Sequence, residues 1–377
     1  MKIIISVFLL IITGFIFSVF YACLPDRPCP RYSGPILDTS EQSGVEWIDS
    51  LQIGWFDHLG TEIEVDEIAE AGFDIVLPYS GTNPVERAIE YTDAASAQGL
   101  SVILEIPRSI IAADDMNALR LYVSPFEENA AVYGWYLADE PSIQSSLKPE
   151  NLSHAYNEIK NITPDKPAYI TLIQSNLAHL YTDSLEIIMH DFYPVKAGTE
   201  EFKSKELQCF RDHVAEYAHL AQRNKKEFWF IIQAYGEDAE GNPQFGRRLP
   251  TQGESQYMFY ISLFSRPKGI LYWTWYRTNK VWVRNTLSPM IRNFKALFPG
   301  NIGYETPSGF ILNNLDADIM ILHSEDNRRY LLVVSSQLKS QAGKIEGHSD
   351  MIFTTTGTSE IDIVLGPYGV RLIEITE

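Results

Sequence analysis

Between residues 45 and 300 the chain alternates two patterns: short, almost unbroken apolar runs, and longer stretches whose apolar residues recur at helical spacing. The runs are LQIGWF (51–56), FDIVLPY (73–79), LSVILEI (100–106), VYGWYLA (132–138), PAYITLI (167–173), LEIIMHDFY (185–193), EFWFIIQAY (227–235) and GILYWTWY (269–276). A strand without in/out alternation is buried on both faces, the condition of a parallel strand covered by helices. The stretches between, among them IEVDEIAEAG, NPVERAIEYTDAASAQG, NLSHAYNEIK and FKSKELQCFRDHVAEYAHLAQRN, predict helices. Two of these close on Gly72 and Gly99, a common C-terminal stop. Eight strand-then-helix units within roughly 250 residues predict an α/β fold, a (β/α)8 TIM barrel, over 45–303. A doubly wound sheet also alternates, but it usually has fewer strands and carries a Gly-rich phosphate loop; neither GxGxxG nor GxxxxGKS/T occurs.

After SPMIRNFKALFPG the pattern changes to period two. FILNNL, DIMILHS, RYLLVVSS, EIDIVLG and GVRLIEIT, with the turn signals HSEDNRR and GPYG, predict a small C-terminal antiparallel β-sandwich domain over 304–377. At the other end, the uncharged run IIISVFLLIITGFIFSVFYA follows Met1-Lys2 and stops at Cys23. One basic residue, a long apolar core and a small residue before a cysteine predict a lipoprotein-type signal peptide over 1–22, an acylated Cys23 and a Pro-, Asp- and Ser-rich tether over 23–44. Phe20 and Tyr21 depart from the usual lipobox, so a cleaved secretory signal and an uncleaved apolar anchor stay open. All three readings export the globular part and confine membrane contact to the N-terminal lipid or anchor.

Composition narrows the class further. With 45% hydrophobic and 12% aromatic residues among 377, the chain is not a disordered one and can bury a large core. Forty-nine acidic against thirty basic residues leave a net charge of -19, a surface that repels nucleic acid and anionic lipid. Cys23, Cys29 and Cys209 have no metal-ligand spacing, and their odd number argues against a disulfide scaffold. No metal or other cofactor is implied.

In a barrel of this kind, chemistry gathers at the carboxyl ends of the strands. There the runs deliver Trp55, Asp57 and His58; Tyr79 and Ser80; Glu105 and Arg108; Asp139 and Glu140; Gln174, Ser175 and Asn176; His190, Asp191 and Tyr193; Gln233 and Tyr235; and Trp273, Trp275, Tyr276 and Arg277. Strand ends are polar wherever they approach water, which accounts for Ser80 and Ser175 but not for tryptophans beside a tyrosine. Carboxylates and amides interleaved with flat rings suit a sugar, whose hydroxyls need directional partners and whose C–H faces stack on aromatics. Trp55, Tyr79, Glu105, Tyr193, Gln233, Tyr235, Trp273 and Trp275 are the candidate substrate contacts.

Glu140 is the candidate general acid, because glycosidic C–O cleavage needs a proton for the departing oxygen and a buried carboxyl can keep one. Alternation places Glu140 on the face of Ala138, Tyr136 and Gly134, and Asp139 with Leu137 and Trp135 on the other. Assigning Glu140's face to the interior leaves Asp139 as an orienting or capping group whose charge would help hold Glu140's proton. Asp191 is the second carboxylate, with an Asx turn before Tyr193-Pro194 as the alternative. His190 reads as a structural imidazole. Glu105 either reaches the site or pairs with Arg108.

GWYLADEPS, DFYP, FIIQAYG and ILYWTWY, at the ends of the fourth, sixth, seventh and eighth strands, resemble the (β/α)8 glycoside hydrolases of clan A. More closely they resemble bacterial extracellular hydrolase-like proteins with a GWYLADEP signature. IGWF with EIAEAGFDIVLPY near the start and PYGVRLIEI at the end extend the resemblance over residues 45–377. It implies Glu140 as acid/base. It also implies an Asn before that Glu and a Glu nucleophile on the seventh strand, where this chain has Asp139 and, nearby, Gln233; an amide cannot form a glycosyl ester. Three outcomes stay open: Asp191 or Glu237 works with Glu140, the Asp139–Glu140 pair supports substrate-assisted chemistry, or the barrel binds sugar without cutting it. The expectation is an exported glycoside hydrolase cleaving O-glycosidic bonds of an oligo- or polysaccharide. Its alternative is a catalytically inactive carbohydrate-binding protein on a hydrolase-like barrel.

Overall fold

The computed structural model describes residues 34–37, 44–59, 64–79, 84–237, 241–348 and 351–376. The expected signal peptide, Cys23, Cys29, most of the tether and Ser80 lie outside these residues. After a short strand β1 (Glu46–Ile48), eight parallel strands close a barrel in chain order: β2 (Gln52–Asp57), β3 (Ile75–Pro78), β4 (Ser101–Glu105), β5 (Val132–Asp139), β6 (Ala168–Thr171), β7 (Ile187–Phe192), β8 (Glu227–Gln233) and β9 (Gly269–Trp273). Each matches one of the apolar runs. The principal helices are α1 (Val65–Glu70), α2 (Val85–Ala97), α3 (Arg108–Ala113), α4 (Met116–Val123), α5 (Pro149–Ile162), α6 (Phe210–Arg223), α7 (Gln252–Ser262) and α8 (Ser288–Leu297). Gly72 and Gly99 follow α1 and α2 with φ of 95° and 75°, the left-handed stop their positions required.

The strands divide their side chains between two cores. Phe56, Leu77, Ile103, Tyr136, Tyr169, Met189, Trp229, Ile231 and Leu271 fill the barrel interior. Trp55, Val76, Leu104, Trp135, Ile188 and Phe230 pack outward against helix residues such as Tyr91, Leu152 and Val214. Each fully buried aliphatic or aromatic side chain contributes about 1.5–3 kcal/mol, so it is this double burial, not the strand ladder alone, that holds the wall. At the filled interior, a Cβ on Gly269 would lie 2.3 Å from the Trp229 ring, which is why only glycine fits there.

The C-terminal domain is a pair of antiparallel sheets. One runs β1-β10-β12-β13-β17-β15, with β10 (Ile302–Glu305), β12 (Asp318–Ser324), β13 (Arg329–Val334), β15 (Ile352–Phe353) and β17 (Val370–Thr376). The other runs β11-β14-β16, with β11 (Ile311–Asn313), β14 (Gln341–Glu346) and β16 (Glu360–Leu365). Ile321, Leu331, Val333, Ile345, Ile363 and Ile373 fill the space between them. β1, from the start of the segment expected to be barrel, pairs with β10 and so joins this domain's sheet. Arg211 of α6 holds the domain to the barrel through two 2.6 Å bonds to Asp318, and also donates to the Gly34 carbonyl at 3.0 Å. Ile36 is buried in the outer core. Cys209, immediately before α6, is disulfide-bonded.

Candidate active site

The end of β5 departs from simple alternation. Its register with β6 slips between Tyr136 and Ala138, and Leu137 and Ala138 both pack into the outer core. The irregularity exchanges the faces of everything after it. Asp139, not Glu140, therefore shares the interior side with Tyr136, contrary to the alternation argument, and the Tyr136 hydroxyl donates to its Oδ1 at 2.8 Å. Beyond Asp139 the chain turns at Glu140, which is left-handed (φ 46°, ψ 54°) and 1% exposed. The Glu140 N–H donates to the Thr171 carbonyl at 3.0 Å. For a non-glycine residue that conformation costs about 1–2 kcal/mol, and Pro141 then starts a short 3-10 turn.

Asp139 sits at the end of a hydrogen-bond chain. The Tyr136 hydroxyl gives its only proton to Asp139, so the Thr171 hydroxyl donates to it across 2.7 Å. The Tyr79 phenol also bonds the Asp139 carboxylate and accepts from Arg108 at 3.1 Å. On β7, Ile187 and Met189 point inward, which carries Asp191 and then Tyr193 to the same side. Burial, then the negative charge of Asp191, push the Asp139 carboxyl up to about 6, against the pull of the two phenols and Arg108. The Tyr193 hydroxyl is pushed well above its ordinary range by burial and by Asp191, Tyr235, Asp139 and Glu140. The three acids singled out from the sequence thus converge electrostatically on one hydroxyl.

One wall of the mouth is aromatic. The Trp273 ring lies 5.5 Å from Tyr193 at 29°, and 4.7 Å from Tyr235 at 81°. The Trp273–Thr274 peptide is cis. Phe245 closes the group, 6.0 Å from Tyr235. Tyr79, Tyr193 and Trp273 are partly exposed where they pack on the interior core, leaving flat faces beside the carboxylates.

Three of the expected substrate contacts are placed elsewhere. Trp55 is fully buried in the outer core against Phe73 and Trp275, because strand parity turns it away from the interior. Trp275 lies past the end of β9 in the same core; its Nε1 donates to Glu64 at 2.8 Å, and the Lys280 ammonium sits 3.5 Å from its ring centre. The Gln233 amide is held by backbone: Oε1 accepts from the Val195 N–H at 2.7 Å, while Nε2 donates to the carbonyls of Val195, Tyr235 and Arg248. That pattern needs an acceptor and a donor on one group, which an amide supplies and a carboxylate does not. Glu105 stays inside, within electrostatic reach of Tyr79 and Arg108. His190 is the expected structural imidazole, bonded to the Leu172 carbonyl and to His213 and stacked 3.6 Å from Tyr217. Tyr136, Thr171 and Phe245 were not singled out from the sequence. Only Tyr136 carried a signal, its place in the run leading to the acids.

With this geometry in view, the comparisons with known proteins concern the fold. No family model and no curated protein matches the chain. Solved structures do: an Anoxybacillus α-amylase (TM-score 0.52, 10% identity, 86% of this chain and 98% of that one) and a family 51 α-L-arabinofuranosidase from Bifidobacterium longum (0.53, 9%, 88% and 98%). A β-galactosidase from the psychrophilic Marinomonas ef1 also matches (0.51, 9%), over 66% of this chain and 60% of its own length. These similarities, at 9–10% identity, speak for the fold alone: a (β/α)8 barrel with a C-terminal β-domain.

Proposed function

We propose that the protein is an exported glycoside hydrolase acting on an oligo- or polysaccharide. In this reading Asp139 protonates the departing glycosidic oxygen and Asp191 supplies the facing negative charge. The observation that carries it is the placement of Asp139, turned inward by the register slip and bonded by the Tyr136 hydroxyl at 2.8 Å, on the same side as Asp191. Burial and the charge of Asp191 push its carboxyl up to about 6. As the C–O bond breaks, the Asp139 proton goes to the leaving oxygen and Asp191 meets the positive charge growing at the anomeric carbon. Water then adds its oxygen to that carbon, and its proton returns to Asp139. Trp273, Tyr193 and Tyr235 offer stacking faces for the sugar. Tyr136 and Tyr79 fix the acid's orientation. Export is supported by the apolar N-terminal run and by the disulfide at Cys209, a bond that persists in oxidising compartments. Acylation of Cys23 would add the anchor, tested by mass spectrometry of the mature N-terminus.

Glu140, favoured by alternation and by the clan A resemblance, is the competing donor; its charge also reaches Tyr193. The second reading, an inactive sugar-binding barrel, is favoured by Gln233, whose amide is fully engaged by backbone near the position where the resemblance implies a nucleophile. The test is turnover on a panel of aryl glycosides and polysaccharides by the wild type, Asp139→Asn, Asp191→Asn and Glu140→Gln. The expected result is wild-type hydrolysis that falls about 100- to 10,000-fold in each aspartate variant and less in Glu140→Gln. A larger loss in Glu140→Gln than in Asp139→Asn transfers the donor role to Glu140. Sugar binding without turnover by the wild type establishes the inactive reading.

A further inference from the structure

The arginines around the barrel mouth differ in one respect. Arg247 bonds Glu206 at 2.6 Å, and Arg248 bonds Glu254 at 2.7 and 2.8 Å. Arg108 sits among Tyr79, Asp139 and Glu105. Arg277, just past β9, has no carboxylate partner among the described residues. In a chain with nineteen more acids than bases, a mouth arginine left without one is unexpected. Its guanidinium is caged by aromatic rings instead: 4.7 Å from the centre of Phe245, 5.2 Å from Tyr276 and 5.9 Å from Trp273. Its Nε is buried with no hydrogen-bond acceptor. Such a cage holds the planar fork in place, and ring faces cannot satisfy its in-plane N–H donors.

Arg277 is also electrically part of the mouth. Its charge acts on the Tyr235 hydroxyl, as does that of Asp191, and it contributes, after burial, to holding the His58 imidazole below its ordinary value. The Trp273 ring that it touches stacks on Tyr193, which the three acids surround. A sugar lying on Trp273 would sit beside Tyr193, which the acids surround, and within reach of Arg277, which touches the same ring. The mouth's acids would repel an anionic sugar unless a fixed cation met its charge.

We infer that Arg277 is a specificity residue for an anionic sugar: the barrel takes a saccharide carrying a carboxylate or sulfate group, received by the ring-caged guanidinium. This rests on the mouth being a sugar site, and it does not require that the bond be cut. The test is a glycan array of neutral, uronate-containing and sulfated oligosaccharides, probed with Asp139→Asn and with Asp139→Asn carrying Arg277→Gln or Arg277→Lys. Titration calorimetry on the best ligand follows, with melting temperatures to confirm folding. The expected result is preference for a uronate or a sulfated glycan, whichever source supplies the anion, and an affinity loss of about 10- to 100-fold in the Arg277→Gln background. Arg277→Lys, keeping charge without the fork, is expected to lose less. Preference for neutral glycans, absence of binding to every anionic glycan, or unchanged affinity in folded Arg277→Gln overturns the inference. Selective anionic binding without turnover by the wild type would leave it standing while the hydrolase reading fails.

Discussion

Asp139 and Asp191 share the barrel interior from the two strands that flank β6, and after burial the charge of Asp191 is the largest influence keeping a proton on Asp139. The relationship has a stability consequence with a definite sign. Folding raises this carboxyl from an ordinary 3.8 to about 6, so between those values the folded chain binds more protons than the unfolded one. Stability therefore falls as pH rises through that window. Asp139→Asn removes the effect. Urea unfolding is expected to show the variant about 1–2 kcal/mol more stable than wild type at pH 7.5, with no gain at pH 4. A variant less stable at both pH values would count against the buried, charge-opposed carboxyl.

The phenols act in the opposite direction. Tyr136 donates to the Asp139 carboxylate and so stabilises its charged form. Tyr136→Phe is expected to raise the proton affinity of Asp139 by about one pH unit or less. Because a general acid works only while protonated, the alkaline limb of the kcat/KM profile should move to higher pH. A limb that moves to lower pH would contradict the assignment.

Gln233 tests whether the site is a hydrolase site with one carboxylate missing. In Gln233→Glu a carboxylate would face the carbonyls of Val195, Tyr235 and Arg248, now without a donor between them. Loss of about 2–4 kcal/mol in chemical unfolding is expected, with no rise in turnover. A stable variant with new activity would show that this amide had replaced a nucleophile.

Two neighbouring tryptophans should behave differently. Trp275 lies in the outer core, so Trp275→Ala is expected to cost about 3–5 kcal/mol of stability. Trp273 is half-buried on the mouth wall; Trp273→Ala is expected to weaken ligand binding about tenfold or more, with the smaller stability loss. Paired measurements of melting temperature and ligand affinity separate the two, and an affinity loss at Trp275 equal to that at Trp273 would dispute their placement.

The barrel was legible because its strands are buried on both faces and read as apolar runs, and each run became a strand. The C-terminal domain was legible where one face alternates, as in β16 and β17, and where apolar runs fill both faces, as in β12 and β13. β14, QAGKIE, with one fully buried residue, left too weak a pattern to be recognised. The site was harder to read for a physical reason. Period-two reasoning assigns faces correctly only while register holds, and the slip after Tyr136 turned Asp139 inward where counting had placed Glu140. The same limit applies to Trp55 and Trp275, since a run rich in aromatics does not say which ring looks into the mouth. Arg277 stood in plain view at the end of the eighth run. Its lack of an acid partner among the described residues is a property of three-dimensional neighbours and has no sequence signature.

The most direct measurement is a carboxyl 13C titration of Asp139 between pH 3 and 9, in the wild type and in Asp191→Asn. The account predicts a midpoint near 6 in the wild type and a clear downward shift once the facing charge is removed. A midpoint near 4, unmoved by Asp191→Asn, would contradict it.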